Sequence, residues 1–137
     1  MSDVKRVLFV CVENANRSQM AEAFARMLGG PAVEAYSSGS RPSGVVNPKA
    51  IAAMGELGYD LAAHGSKSLD DLPDVPFDFV ATMGCGDACP LVRAAHRADW
   101  QIPDPKHLEP VEFRAVRDLI REKVRDALVG IGVAVRA

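Results

Sequence analysis

Apolar residues along this chain fall into two kinds of run. Val7-Leu8-Phe9-Val10-Cys11-Val12 is unbroken and rich in β-branched and aromatic side chains, which predicts a strand covered on both faces. From Ser18 the spacing changes at once. Met20, Phe24, Met27 and Leu28 share one helical face, and Gly29-Gly30-Pro31 stops that helix. Val33 to Gly39 predicts a second strand, followed by a loop of small residues from Ser40 to Val46. Asn47-Pro48 then caps another helix, with Ile51, Met54 and Leu57 inward and Gly58 at its end. His64 to Ser68 is a polar loop, and Ser68 to Leu72 a short helical turn closed by Pro73. Phe77 to Met83 predicts a third strand and Ala98 to Ile102 a fourth. Phe113, Val116, Ile120, Val124, Ala127 and Ile131 recur at helical spacing through a final helix from Pro110 to about Val129.

Strands alternating with helices imply a parallel sheet. The expected fold class is α/β, a three-layer, Rossmann-like sandwich on a four-stranded parallel sheet. In such sheets ligands bind beyond the carboxyl ends of the strands, a rule that gathers Cys11, Cys85 and Asp104 at one rim. The 137 residues, 48% of them hydrophobic, suit one domain over residues 1–137 with one core.

Charge narrows the choice of partner. A net charge of −2 with 16 scattered basic residues leaves no footprint for nucleic acid or an anionic membrane, so a small ligand is expected, and a monomer. No stretch has the length of a membrane span. The apolar run after Lys5-Arg6 is short and ends at Glu13-Asn14 without a cleavage-site pattern, so it reads as a core strand rather than a signal peptide. The cytoplasm is the default location. There, three cysteines point to redox or nucleophilic chemistry more than to a structural framework.

The chemistry centres on the loop from Cys11 to Ser18, between the first strand and the first helix. A loop entering a helix N-terminus presents unpaired N–H groups and the positive end of the helix dipole, and so favours an anion. That field stabilises a thiolate at Cys11 and makes it a nucleophile. Arg17 offers a fork of donors matched to two oxygens of a tetrahedral oxyanion, and Ser18 a hydroxyl for the sulfur. The candidate oxyanion site is therefore Val12, Glu13, Asn14, Ala15, Asn16, Arg17 and Ser18. The loop from Gly84 to Pro90 carries Cys85 and Cys89 off the end of the third strand.

Cys11 to Ser18, with Cys-x5-Arg, Asn14 and Ser18, resembles the phosphate-binding loop of the low-molecular-weight protein tyrosine phosphatases and of the arsenate reductases that share their fold. Gln19-Met20-Ala21-Glu22 is similar to the reductase branch, since the phosphatases usually carry Pro at the position of Gln19. The resemblance covers nearly the whole chain and implies that the first and third strands are adjacent. Adjacent parallel strands lie about 5 Å apart and a disulfide needs Cα atoms roughly 4.4 to 6.8 Å apart, so Cys11 and Cys85 come within reach after modest movement. It further implies that Cys11 attacks arsenate, Cys85 attacks the Cys11 adduct and releases arsenite, and Cys89 passes the disulfide to thioredoxin or another thiol reductant. Asp104-Pro105 resembles the general-acid segment of the phosphatases.

The chain departs from those relatives in four places. Glu13 stands where they more often have Gly, Thr or His, and a carboxylate there opposes anion binding unless it points to solvent. Only Gly86-Asp87-Ala88 separate Cys85 from Cys89. Lys106 replaces an aromatic often seen after the acid segment in the phosphatases. Glu22, Asn14 and Ser37 match positions that support potassium in some reductases, but Lys67 stands in place of an acidic ligand, and an ammonium argues against the metal.

No metal or other cofactor is expected. Cys85, Cys89 and His96 have loose zinc spacing with no second ligand pair. His64, His96 and His107 read as loop and surface residues without partners, and Trp100 as core. The competing functions are a phosphatase using Cys11, Arg17 and Asp104, and a redox-sensing or oxyanion-binding module without turnover. Taken singly, Cys89 also fits a packing thiol and Asp104 a turn aspartate.

Overall fold

The computed structural model describes residues 4–83 and 92–136. The predicted order of elements is observed: β1 (Lys5–Cys11), α1 (Arg17–Gly29), β2 (Val33–Gly39), α2 (Pro48–Gly55), β3 (Phe77–Met83), β4 (Ala94–Asp99) and α3 (Pro110–Gly130). The four strands form one parallel sheet in the order β2-β1-β3-β4. The first and third strands are neighbours, and Cys11, the last residue of β1, stands between Gly39 of β2 and Met83 of β3.

The unbroken apolar run of β1 is explained by this central place. Val7, Leu8, Phe9 and Val10 have no solvent exposure. Val7 and Phe9 face a core built with Met20, Phe24 and Leu28 of α1, Met54 of α2, and Phe113, Val116, Ile120, Val124 and Leu128 of α3. Leu8 and Val10 face the other way, against Phe77, Val80, Leu72 and Val92. Trp100 is core, its ring tilted against Phe9 and Phe79 at centroid distances of 5.8 and 5.9 Å. Among the described residues no helix is long and apolar enough to cross a membrane.

Two boundaries differ from the sequence reading. The fourth strand runs over Ala94–Asp99 rather than Ala98–Ile102. It is the edge of the sheet, so its sequence, Ala-Ala-His-Arg-Ala-Asp, lacks the apolar run that marks a covered strand, and His96 lies exposed on it. The apolar pair Trp100 and Ile102 is buried just beyond it. In the second helix Leu57 is exposed, because regular helix ends at Gly55 and the turn closed by Gly58 (φ +83°) carries Leu57 off the inward face. Ala50 and Ala53 take the buried positions with Met54. Asn47 caps this helix as expected, its side chain accepting from the Lys49 N–H at 2.8 Å.

Candidate oxyanion site

The loop that joins β1 to α1 turns its carbonyls outward. Those of Cys11, Val12, Glu13 and Ala15 accept from the backbone N–H groups of Ser40 (3.2 Å), Arg41 (2.7 Å), Ser43 (3.0 Å) and Asn47 (3.0 Å). The Ser66 hydroxyl adds a second bond to the Glu13 carbonyl, at 3.0 Å. Among the described residues the N–H groups of Val12 to Asn16 engage no acceptor. The helix that follows begins with no side-chain cap and no acidic residue in its first turn. A ring of free donors thus coincides with an unneutralised helix N-terminus, which is the local physics of an anion site.

Backbone geometry holds this ring open. Asn14 adopts φ +51°, a left-handed conformation that Asn tolerates better than most side chains. At Gly39 a Cβ would lie 2.6 Å from the Val12 carbonyl oxygen and 2.9 Å from the Asn14 nitrogen, so only glycine lets β2 approach the loop this closely. Gly39→Ala is expected to displace the loop, lowering Tm by several degrees and weakening phosphate binding at least about tenfold. Thermal melts with and without phosphate measure both effects. An alanine variant whose phosphate affinity matches the parent's would show that the close approach is not required.

A chain of hydrogen bonds leads to the sulfur. The Cys11 thiol is 3% exposed and its Sγ lies 2.8 Å from Ser18 Oγ. Asn14 Nδ2 donates to the same hydroxyl at 2.8 Å, which turns the Ser18 proton toward sulfur. Gln19 Nε2 in turn donates to Asn14 Oδ1 (2.8 Å) and to the carbonyls of Asn14 (3.0 Å) and Gly65 (2.9 Å). With its nitrogen so engaged, Gln19 presents Oε1 to His64 Nδ1 at 2.9 Å, so Nδ1 carries the imidazole proton and Nε2 accepts from the Tyr59 hydroxyl at 2.6 Å. Burial lowers the His64 pKa from its ordinary value, against the opposing pull of Glu22, and so favours the neutral imidazole.

His64 is therefore not a surface residue without a partner. Its partner from α1, Gln19, lies 45 residues away and leaves no mark in local sequence, while Tyr59 lies after the turn that follows α2, five residues before it. His107 lines the site's cleft.

Arg17 is the first residue of α1 and 9% exposed. One guanidinium nitrogen donates to the Ile102 carbonyl at 3.1 Å and the other stands 3.9 Å from Asp104 Oδ2. These contacts come from the stretch after β4, so the edge strand's continuation aims the arginine. Cys11, Val12, Glu13, Ala15, Asn16, Arg17, Asp104, Lys106 and His107 line one open cleft of about 500 Å³. Cys85 and Cys89, the other two residues of the expected thiol relay, lie outside the described residues, as do two of the three groups in the loose zinc spacing.

Glu13 does not simply point to solvent. Lys106 Nζ donates to both of its carboxylate oxygens, at 2.9 and 3.0 Å, and this pairing offsets the charge that would otherwise oppose an anion. At the fourth departure, Lys67 Nζ stands 3.6 Å from Glu22 Oε1 and donates to the Gly65 carbonyl at 2.7 Å. Ser37 Oγ donates to that same Glu22 oxygen, and the Lys67 N–H donates to Asn14 Oδ1 at 2.7 Å. The ammonium is thus drawn in beside the buried Glu22 carboxylate. Potassium is expected to leave Tm unchanged relative to sodium at equal ionic strength, and a saturable rise specific to potassium would contradict this.

With a cysteine before and an arginine after a run of N–H groups that engage no acceptor among the described residues, all lining one cleft, the loop has the make-up of a phosphate-binding loop. The low molecular weight phosphotyrosine protein phosphatase family matches residues 6–135. The chain belongs to that family. Among similar proteins, a glutaredoxin arsenate reductase of Synechocystis sp. is 37% identical over 131 residues, covering 93% of this chain and 99% of the relative. An arsenate reductase in the phosphate binding state superimposes with a TM-score of 0.86 at 36% identity, covering 94% of this chain and all of that one. A thioredoxin-dependent arsenate reductase of Corynebacterium glutamicum has a TM-score of 0.78 at 32% identity, covering 95% of this chain and 63% of that one. Low molecular weight phosphatase folds thus include reductases this similar to the present chain.

Proposed function

We propose that this protein reduces arsenate to arsenite through a relay of Cys11, Cys85 and Cys89. The observation that carries the reading is the Cys11 loop itself, with the N–H groups of Val12 to Asn16 unengaged among the described residues, its carbonyls tied away and Arg17 beside it. Relatives named as arsenate reductases support the choice of substrate.

The Val12–Ser18 loop, Arg17 included, holds the oxyanion while the Cys11 thiolate attacks arsenic and displaces hydroxide, which leaves as water after protonation. The Cys85 thiolate then attacks the Cys11 sulfur. A disulfide forms, the sulfur–arsenic bond breaks, and arsenite departs with the two electrons. Cys89 attacks Cys85, which frees Cys11 and leaves a Cys85–Cys89 disulfide for an external dithiol to reduce. Helical residues four apart have Cβ atoms about 5 to 6 Å apart, beyond disulfide reach, so this last step requires a non-helical 85–89 segment. The external reductant is thioredoxin or another redoxin, and the similar proteins include both a glutaredoxin-named and a thioredoxin-dependent enzyme.

A second reading has one specific observation in its favour. Asp104 lines the same cleft as Cys11, where a protonated carboxyl would serve an ester's leaving oxygen as a general acid. Arsenate turnover with the thioredoxin and glutaredoxin systems, run beside hydrolysis of an aryl phosphate, separates the two. Sustained arsenite formation is the expected result. Ester hydrolysis without arsenite formation would make the protein a phosphatase, and phosphate binding without either turnover a non-catalytic oxyanion module.

A further inference from the structure

Gln19 is a fully buried polar side chain on α1 that neither holding an oxyanion nor the thiol relay uses. Its Nε2 donates to the backbone carbonyls of Asn14 and Gly65, at 3.0 and 2.9 Å. A carbonyl accepts and cannot donate, so this end of the amide is the nitrogen. The other end, Oε1, takes the His64 Nδ1 proton at 2.9 Å.

A second amide is oriented in the same way. The backbone N–H of Lys67 donates to Asn14 Oδ1 at 2.7 Å and Gln19 Nε2 meets the same oxygen at 2.8 Å, which leaves Nδ2 facing Ser18 Oγ, 2.8 Å away. Ser18 therefore accepts from Asn14 and keeps its own proton for Cys11 Sγ, also at 2.8 Å. Backbone groups at the start of this path set the direction of each bond along it.

The path works only while Asn14 stays in place. Its φ of +51° is less favourable than the right-handed conformation even for Asn, so it needs restraint from outside. Gln19 supplies that restraint: one nitrogen grips Asn14 by its main-chain and side-chain oxygens together and ties it to Gly65 of a separate loop. We propose that Gln19 is a positioning residue for Cys11, which by holding Asn14 aims the Ser18 proton at the sulfur and so favours the thiolate. The proposal rests on the reading of Cys11 as the nucleophile of the oxyanion site. Gln19 itself does not line the cleft, so its effect on the sulfur passes through Ser18.

A route through Ser18 has a signature in a double-mutant cycle. Alkylation of Cys11 by iodoacetamide is followed by peptide mass spectrometry in the parent, Q19M, S18A and Q19M/S18A, at about pH 6 and about pH 10. At the lower pH, Q19M and S18A are each expected to react about tenfold more slowly than the parent, the order of one hydrogen bond to a charged group. At the higher pH, where thiols ionise without help, the rates converge. In the S18A background Q19M changes nothing, since the hydroxyl it aims is gone. Q19E replaces Q19M if that variant does not fold; its added charge acts with or without Ser18, so the expected result is a larger slowing with Ser18 than without it. Equal slowing in both backgrounds, slowing by Q19M that persists at the higher pH, or a parental rate for Q19M or S18A at the lower pH overturns the positioning role. Phosphate is also tested for protection of the parent, and failure to protect overturns the oxyanion reading beneath it.

Discussion

Arg17→Lys is expected to lower kcat/KM for arsenate about 10²-fold, in the range seen when one preorganised donor to a developing oxyanion is removed. The guanidinium is buried, donates to the Ile102 carbonyl through one nitrogen and faces Asp104 with the other. That double anchor fixes the plane of the fork. A lysine ammonium is a single point charge on a flexible stem and cannot reproduce two parallel donors. Steady-state arsenate reduction measures the loss. Phosphate should also protect Cys11 of the variant from alkylation only at higher concentration. A variant within about threefold of the parent in both measurements would mean that the loop N–H groups suffice.

Cys85→Ser should produce the larger effect. The hydroxyl cannot attack the Cys11 adduct, so arsenite release fails and turnover with a dithiol protein as sole reductant falls by about 10³-fold or more. Ester hydrolysis needs no second thiol, so any phosphatase activity of the parent is expected to remain. Asp104→Asn should have the opposite bias, since its carboxyl would act only on an ester's leaving oxygen. Parallel assays of arsenite and of released phenol report both. Parental arsenate turnover by Cys85→Ser would replace the relay with a one-cysteine mechanism.

The readability of this chain tracked burial and sequence distance. The strand Val7 to Cys11 is covered on both faces, and its composition reported that directly. The edge strand Ala94–Asp99 has little apolar covering to report, and the buried pair Trp100 and Ile102 just beyond it draws the expected strand toward residues 98–102. Met54 lies within regular helix and follows the helical period inward, whereas Leu57 sits in a turn that periodicity does not register.

The same distinction holds at the site. The anion loop was legible because its parts are consecutive, from Cys11 to Ser18. The pairings of His64 with Gln19, Glu13 with Lys106 and Lys67 with Glu22 were not, because they span 45 to 93 residues of sequence. Glu13 alone suggested a defect in the anion site, and only the fold supplies the lysine that compensates it. A backbone requirement such as that at Gly39 is equally silent, since the atoms it accommodates belong to a loop some 25 residues earlier.

The central claim is that Cys11 takes up the oxyanion and hands its adduct to Cys85. Cys89→Ser isolates that step. Reduced Cys89→Ser protein is mixed with excess arsenate without any external thiol, arsenite is quantified, and the protein is digested for mass spectrometry under conditions that prevent disulfide exchange. The account predicts about one arsenite per chain and a disulfide linking Cys11 to Cys85, with neither formed in Cys11→Ser. No arsenite, or arsenite released while Cys11 and Cys85 remain unlinked, would contradict it.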